Sequence, residues 1–349
     1  MEEQSNGTSS RRRFLGTAAG ATGVALAAAA WRPAQAAAAI PDQGPRVASP
    51  ISGRSYVSGR FALAIDGGQV GVLKSVDGGG AVGQVVEETV GSDRYAHKHI
   101  GSVKYEDFTM QFDFGMKKGI YDWIAASWTA NYIRKSGSVI AADFQGDVKS
   151  ERQFFNALIT ETGIPACDAS SKDPGYLSLS FAPEQTTDEK ASGTLAVGTK
   201  QKLWLPSNFK LEIDGLDCTK VNKIDAFTVK QSVVTSDIGD ERDYQKDPGK
   251  IEFPNLTVTF AEASAQSWID WHKDFVITGN NGQKEEKGGR LLFLSPNLQE
   301  QLAEITFFNL GIFKLDSEAG EPNADAPARM TADLYCERME FKYGGSVRA

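Results

Sequence analysis

The 349-residue chain contains the same pattern twice, and this repeat constrains the fold more than any other feature of the sequence. When the sequence is shifted by 148 positions, Phe61–Gly67 falls on Phe209–Gly215 without a gap. The same register continues to Asp122-Trp123, which falls on Asp270-Trp271. Chance similarity does not hold one register over such a length, so the sequence predicts a tandem duplication.

A later match indicates how far each copy extends. Phe154–Asn156 matches Phe307–Asn309 with a shift of 153 positions, so an insertion separates the two matching parts. We therefore predict a first domain at residues 58–181 and a second domain at residues 206–349. The segment 182–205 is polar and contains Thr, Ser and Gly, and it is predicted to be a linker.

The first 36 residues have the layout of a secretory signal. Arg11–Arg13 stand directly before Phe14–Ala30, an apolar run rich in Ala and Gly, and Ala34–Ala36 is a small-residue cleavage site. Paired arginines followed by Phe-Leu resemble the signal of the twin-arginine export route. A membrane anchor is the weaker alternative, because the run is short. We predict export to the periplasm, the extracellular space or the cell surface, with a flexible proline-containing arm at 37–57.

The charge of the chain disfavours two classes of partner. The formal net charge is −8, and it becomes −10 without residues 1–36, because that segment removes four arginines and two glutamates. An acidic surface repels phosphate groups, so neither nucleic acid nor an anionic membrane is an expected partner. No membrane span is expected after removal of the signal.

The three cysteines do not form a recognisable framework. Cys167, Cys218 and Cys336 are widely spaced and form no C-x-x-C pair, which argues against a disulfide scaffold and against a zinc site. They are predicted to be small buried apolar residues, with a single disulfide as the alternative.

Both copies begin with an alternating strand and an Asp-Gly turn pair, which predicts a half-buried strand followed by a hairpin. These residues are Phe61, Leu63, Ile65 and Asp66-Gly67 in the first copy, and Phe209, Leu211, Ile213 and Asp214-Gly215 in the second. Further alternating stretches lead to Phe112 and Phe260, and final strands contain Leu177–Phe181 and Ala332–Phe341. The predicted fold class is mostly β with a helix per repeat, a β-barrel or sandwich of α+β type in two tandem domains.

The single predicted helix of each copy carries bulky aromatic residues on one face. In the second copy, Ser264 or Ser267 is predicted to cap the helix. The tryptophans are interpreted as core residues rather than as a platform for a sugar or another ligand. The helical positions are Ile120, Trp123, Ile124 and Trp128 in the first copy, and Trp268, Trp271, His272 and Phe275 in the second.

The order of these elements, found twice, resembles the tail-tube protein family of contractile phages and the related injection-system tubes. The residues that carry the resemblance are F-x-L-x-I-D-G, then V-K-Y-x-x-F-T or I-E-F-P-N-L-T, a helix with D-W, and a final strand. The resemblance covers both halves of the chain and implies, for each, a small antiparallel β-barrel with one helix. It also implies a structural protein rather than an enzyme.

In that family, six copies close a ring by joining their sheets edge to edge, and the rings stack into a hollow tube. The resemblance therefore implies that three two-domain chains form a homotrimeric, pseudo-six-fold ring. Stacked rings, and a cap, baseplate or cell-surface partner, are further implied partners. The polar excursions Gly78–His99 and Ala226–Asp247 would be arms that reach the adjacent ring and become ordered only on assembly.

No catalytic, cofactor-binding or metal-binding residue is predicted. His97 and His99 would share one face of a strand, with Asp93 nearby, but no third ligand is evident. Glu87-Glu88 and the run Asp240–Asp243 are interpreted as solvated or ion-paired faces. Neither a G-x-S-x-G elbow nor a phosphate-binding loop is present.

Two other functions remain open from the sequence. The first is an exported monomeric β-barrel binding module for a small molecule or glycan, which predicts an open pocket lined by Trp128, Trp268 or Trp271. The second is a hydrolase on a β scaffold, which predicts titratable groups with shifted pKa values clustered in a cleft.

Overall fold

The computed structural model describes residues 59–89, 91, 95–195, 203–236, 245–317 and 328–344. The predicted signal at 1–36 and the predicted arm at 37–57 lie outside the described residues, as do Asp93 and the run Asp240–Asp243. The described part is mostly β with few helices and curled sheets, which confirms the predicted fold class.

The first half of the chain builds most of one large sheet. Its strands run in the order β2-β1-β7-β8-β10-β6-β3, every neighbouring pair being antiparallel. β11 follows β10 in the chain and, like β10, pairs with β8. The bounds are β1 Arg60–Ile65, β2 Gly68–Leu73, β3 Ser75–Gly78, β4 Ala81–Glu88, β5 His97–Tyr105, β6 Phe108–Phe112, β7 Lys135–Ala142, β8 Val148–Ile164, β9 Cys167–Asp168, β10 Leu177–Ala182 and β11 Gln185–Glu189.

The second half builds a second antiparallel sheet with the order β12-β17-β18-β19-β16-β13-β9. From β12 to β13 this order repeats that of the first sheet from β1 to β3, strand for strand. The bounds are β12 Phe209–Ile213, β13 Val221–Ile224, β14 Phe227–Ser236, β15 Gln245–Glu252, β16 Leu256–Ala261, β17 Lys287–Leu294, β18 Gln301–Ser317 and β19 Arg329–Tyr343.

The Asp-Gly turn pairs behave differently in the two halves. Asp66 and Gly67 both have positive φ angles, 51° and 79°, and close a two-residue hairpin between β1 and β2. At the second position only the glycine has positive φ, and no strand follows before β13. The predicted second hairpin is therefore wrong, because a single left-handed residue turns the chain without returning it along β12.

The longest strand of each half carries a bulge at the same place. β8 and β18 each have 17 residues, and the ninth of each, Asn156 or Asn309, has a left-handed φ of 52° or 57°. At these points the pairing with β7 or β17 slips by one residue. The bulge turns the strand and lets one long strand serve two differently oriented parts of a curled sheet.

Both predicted helices are present. α1 (Lys118–Trp128) buries Ile120, Trp123, Ile124 and Trp128 as predicted. α2 (Gln266–His272) continues as a π-helical segment, Lys273–Thr278. The predicted serine cap is wrong: α2 begins after Ala265, and no side chain caps it.

Each candidate cap residue is committed elsewhere. The Ser264 hydroxyl donates to the Ala261 carbonyl, and the Ser267 hydroxyl accepts from the backbone N–H of Asp217. Ser264 ends the 3-10 turn Glu262–Ser264 and Ser267 is the second residue of α2, so neither residue occupies the position that caps the helix.

The two polar excursions contain β hairpins. β4 pairs with β5 to form the first arm, and β14 pairs with β15 to form the second arm. The expectation that these segments become ordered only on assembly is wrong for the paired residues, because main-chain hydrogen bonds between the two strands satisfy the backbone within each hairpin.

Part of the predicted linker also belongs to the folded structure. β11 lies within residues 182–205 and pairs with β8, and Trp204 is fully buried. One hydrophobic core extends through both halves. The boundaries 58–181 and 206–349 stay a prediction, since a shared core does not test where one repeat ends.

Candidate assembly interface

The two halves are joined by strand pairing across the repeat boundary. β14 of the second half lies antiparallel to the end of β8 of the first half, with Phe227 opposite Ile164 and Lys230 opposite Glu161. The second arm therefore extends the first-half sheet. Edge strands expose unpaired N–H and C=O groups, and this pairing satisfies them inside one chain.

A smaller exchange joins the halves in the opposite direction. β9, a two-residue strand of the first half, pairs with β13 at the edge of the second-half sheet, with Cys167 opposite Ile224. Each sheet thus ends on a strand from the other half of the sequence.

Aromatic rings fill the space between the halves. The ring of Tyr121, on α1, stacks on Tyr343 of β19 with centroids 4.0 Å apart and planes 7° apart. Trp128 makes edge contacts with Phe253, which follows β15, at 6.3 Å and with Phe341 of β19 at 5.8 Å. Such pairs contribute about 0.5–1.5 kcal/mol each beyond the area they bury. The first-half helix is therefore held by the second half.

Polar contacts add specificity to this junction. Ser127 Oγ donates to Gln231 Oε1 at 2.5 Å, and both side chains are buried. The Tyr132 hydroxyl donates to the Gly249 carbonyl at 3.2 Å. Arg134 Nη2 donates to the Lys246 carbonyl at 2.7 Å and to Asp247 at 2.8 Å. A buried polar group that loses its partner destabilises the fold, so the buried pair Ser127–Gln231 favours a single register of the second arm against the first half.

Lys246 is the buried cation of the junction. Its side chain is 11% exposed and lies 3.7 Å from Asp107, while its backbone N–H donates to Glu184. Burial lowers the pKa of Lys246, and the two carboxylates oppose that shift. The carboxylates thus favour the charged form of a lysine that burial would otherwise neutralise.

The first arm and the end of β18, which correspond by the sequence match to the two sides of this junction, contain exposed apolar residues. Val82, Val85 and Ile100 of the first arm are 49%, 55% and 57% exposed. Among the described strands, β4 pairs only with β5. Past Leu310, β18 pairs only with β19 among the described strands, and Phe313 in this part of β18 is 45% exposed.

The residues considered for metal binding lie on the exposed first arm. His97 and His99 are exposed residues of β5, and Glu87 forms an ion pair with Lys98 at 2.6 Å. Within the described ranges, no group of three or more His, Cys, Asp or Glu side chains is placed to hold a metal ion. Glu87 is thus ion-paired, as the sequence predicted.

The tryptophans are core residues, as predicted. Trp128, Trp268 and Trp271 are all buried, and Trp268 stacks on Phe260 with centroids 4.5 Å apart. Three open clefts of about 350, 470 and 550 Å³ lie on the surface, and no tryptophan lines any of them. The aromatic-lined pocket predicted by the binding-module alternative is not present in these clefts.

The cysteines are free thiols in two degrees of burial. Cys167 and Cys336 are buried as predicted, whereas Cys218 is half-buried. Burial raises the pKa of all three thiols, to about 11 for Cys218 and Cys336. A raised pKa keeps a thiol protonated and poorly nucleophilic at neutral pH.

Sequence reasoning missed the junction itself, including β9, Ser127 and Gln231. A signal was present in the difference between the two arms. Phe227 and Val229 of the second arm correspond to Gly79 and Ala81 of the first, with the shift of 148. At these two positions only the second arm has large apolar residues, which indicates that this part of the second arm is covered within the chain.

The described part of the chain contains no helix that is both long enough and apolar enough to cross a membrane. Neither a family model nor a curated protein matches the sequence.

The solved structures to which the fold is similar include the following three, each matched over about two fifths of this chain. A protein of the PVC sheath–tube complex of an extracellular contractile injection system is 18% identical, with a TM-score of 0.35, covering 39% of this chain and 93% of that one. The tube-terminating cap of the anti-feeding prophage is 21% identical, with a TM-score of 0.37, covering 42% and 99%. Hcp1 from Flavobacterium johnsoniae is 13% identical, with a TM-score of 0.24, covering 39% and 95%.

Proposed function

We propose that this protein is an exported, non-catalytic structural subunit, three chains of which close a pseudo-six-fold ring. Stacking of such rings into a hollow tube or filament is the further step of the proposal. The observation that carries it is the junction between β8 and β14, where a hairpin of the second half pairs with the end of a first-half strand and extends the first-half sheet inside one chain.

The tandem duplication is part of the proposal, and the structure supports it beyond the sequence match. The order β1-β7-β8-β10-β6-β3 has its counterpart in β12-β17-β18-β19-β16-β13. The bulges at Asn156 and Asn309 occupy the same place in strands of equal length. Repeated units that contact through one recurring interface form a closed ring when the rotation between them divides the circle.

The exposed strand edges favour further edge-to-edge pairing, between one chain and the next. A free strand edge promotes pairing with another chain, and a closed ring removes all free edges by pairing each with its neighbour. β4 of the first arm and the last residues of β18 are such edges in the described part of the chain. A monomeric binding module would need neither edge.

Export by the twin-arginine route and a periplasmic, extracellular or cell-surface location belong to the same proposal. Their support is Arg11–Arg13, the apolar run after it and the cleavage site Ala34–Ala36. A route that carries folded proteins suits a chain whose halves share one core. A cap, baseplate or cell-surface partner would terminate or anchor the assembly.

The test is negative-stain electron microscopy of the mature protein, starting at Ala37, together with its solution mass over a range of concentrations. We expect rings with three-fold or pseudo-six-fold symmetry and a species of three times the chain mass. A single-chain mass at every concentration, with no rings, would overturn the proposal and favour the monomeric binding module.

A further inference from the structure

The junction inside the chain provides a template for a contact between chains. With the shift of 153, the strand end Thr160–Ile164, which accepts β14, corresponds to Phe313–Ser317 of β18. Thr162, Gly163 and Ile164 are buried in the junction, whereas four of the five residues Phe313–Ser317 are exposed. The second half thus presents, uncovered, the edge that the first half covers.

The two strand ends also agree in their irregularity. The pairing of β8 with β10 slips at Thr160, and the pairing of β18 with β19 slips at Phe313. Because the same bulge precedes both edges, the edge of β18 has the direction needed to accept a strand as β8 does. We name Phe313–Ser317 the outer edge.

The first arm presents the matching partner. With the shift of 148, Phe227–Gln231 of the second arm corresponds to Gly79–Gly83. Phe227, Val229 and Gln231 alternate as buried residues in the internal junction. The corresponding positions of the first arm that lie in β4, Ala81 and Gly83, are exposed.

One face of the first arm is apolar. In the sequence match, the residues of this face correspond to the face of the second arm that is covered in the internal junction. Ala81 lies opposite Tyr105, Gly83 opposite Val103, and Val85 opposite Ile100. We name these six residues the inner face. Val85 and Ile100 are more than half exposed, although their counterparts Val233 and Pro248 in the second arm are partly buried.

We propose that the first arm of one chain pairs with the outer edge of a second copy of this chain, in the register of the internal junction. Val82 then lies opposite Lys314, as Lys230 lies opposite Glu161, and Ala81 lies opposite Leu315. Phe313 then lies opposite Gly83, beside the side chain of Ile100 that packs over this glycine. This inference rests on the proposed ring and identifies the surface through which its chains join.

The helix of the second half completes the contact. Trp128, which contacts Phe253 in the internal junction, corresponds to Val276, and Phe253 corresponds to Tyr105 of the inner face. Val276 and its neighbour Ile277 are exposed apolar residues at the end of the π-helical segment, 43% and 71%. They provide apolar cover for the inner face of the incoming arm.

The test is disulfide cross-linking of the mature chain carrying Val82→Cys and Lys314→Cys. Residues directly opposite in an antiparallel pair are close enough for a disulfide. Mild oxidation is expected to convert most of the protein into covalent dimers and trimers on a non-reducing gel. The matched control is Lys230→Cys with Glu161→Cys, the internal equivalent, which is expected to cross-link within one chain without a change in mass. A second control, Val82→Cys with Leu298→Cys, is expected to give no ladder.

A second pair of variants tests the face of the arm. Val85→Asp places a charge on the inner face and is expected to raise the concentration at half-assembly about tenfold or more. Val82→Asp, on the other face of the same strand and similarly exposed, is the matched control and is expected to leave assembly near that of the native chain. Equal effects of the two variants would contradict the proposed face.

The outcomes separate this inference from the function on which it rests. Rings in electron micrographs without cross-linked oligomers would overturn the proposed contact and leave the structural function standing. A protein that remains a single chain, without rings and without cross-links, would overturn both.

Discussion

At the scale of single residues, the junction depends on a few buried groups whose partners come from the other half of the sequence. Ser127 and Gln231 are 104 positions apart and share a hydrogen bond in a buried site. Neither residue stands out in the sequence, since serine and glutamine are ordinary surface residues. Their role follows only from the pairing of β14 with β8.

Replacement of Ser127 by alanine is expected to lower the free energy of unfolding by about 1–3 kcal/mol, because the buried amide of Gln231 then loses its partner. Urea unfolding of the mature protein at low concentration measures this change. The control is Ser232→Ala, whose exposed hydroxyl donates to the Lys250 carbonyl and whose loss is expected to cost no more than about 0.5 kcal/mol. Equal losses for the two variants would contradict the assigned role.

Predictability at this scale was uneven. The burial of Trp123, Trp128 and Trp268 followed from helical spacing, because a bulky aromatic stripe on one helix face has to be covered. The predicted serine cap of α2 was wrong because Ser267 lies inside the helix, where its hydroxyl accepts from the backbone N–H of Asp217, 50 positions away. The residue types near the start of α2 suggested a cap, but the tertiary structure decides which backbone group each serine binds.

At the scale of elements, the repeated bulge explains why Phe154–Asn156 and Phe307–Asn309 match so well. The backbone N–H of Asn156 donates a hydrogen bond to the Ser136 hydroxyl oxygen at 3.1 Å where the strand bends. Asparagine tolerates a left-handed backbone better than most residues, because its short polar side chain forms local hydrogen bonds. The sequence showed this match but did not predict the bulge, since a bulge has no alternation pattern of its own.

Replacement of Asn156 by valine is expected to destabilise the fold by about 1–3 kcal/mol, because a β-branched residue is strained at a φ of 52°. Asn156→Gly is the matched control and is expected to have a much smaller effect, since glycine adopts this conformation without strain. Thermal unfolding compares the two variants. A valine variant as stable as the glycine variant would show that the strand can straighten.

Elements that pair over long distances were the least predictable. β1, β6 and β10 could be predicted from alternation alone, because each has one buried face. β9 and β11 are short or polar, and only their neighbours make them strands. The arms look like polar loops in the sequence because most of their residues face water even when the two strands are paired.

At the scale of the whole molecule, the shared core implies that the two halves unfold together. Tyr121, Trp128, Phe253, Phe341 and Tyr343 belong to one continuous apolar cluster that crosses the repeat boundary. Separation of the halves would expose these rings to water. The similarity of the two halves is visible in the sequence, whereas the extent of the contact between them depends on side chains far apart in the chain.

Calorimetry of the mature protein, at concentrations too low for assembly, is therefore expected to show one cooperative transition with equal calorimetric and van't Hoff enthalpies. Tyr343→Ala removes a ring that stacks on the first-half helix and is expected to move the whole transition to lower temperature. Two transitions, of which only one responds to Tyr343→Ala, would show instead that the halves are independent.

The junction between β8 and β14 also reduces the number of molecules that must associate to close a ring. In a ring of the proposed kind, every second joint forms when a chain folds and needs no encounter between molecules. Closure then brings together three bodies rather than six, so the loss of translational and rotational freedom is incurred for fewer partners. The yield of rings depends on about the third power of protein concentration instead of the sixth. A dilute chain that carries both halves would therefore close rings at concentrations where separate single-domain subunits would remain dispersed.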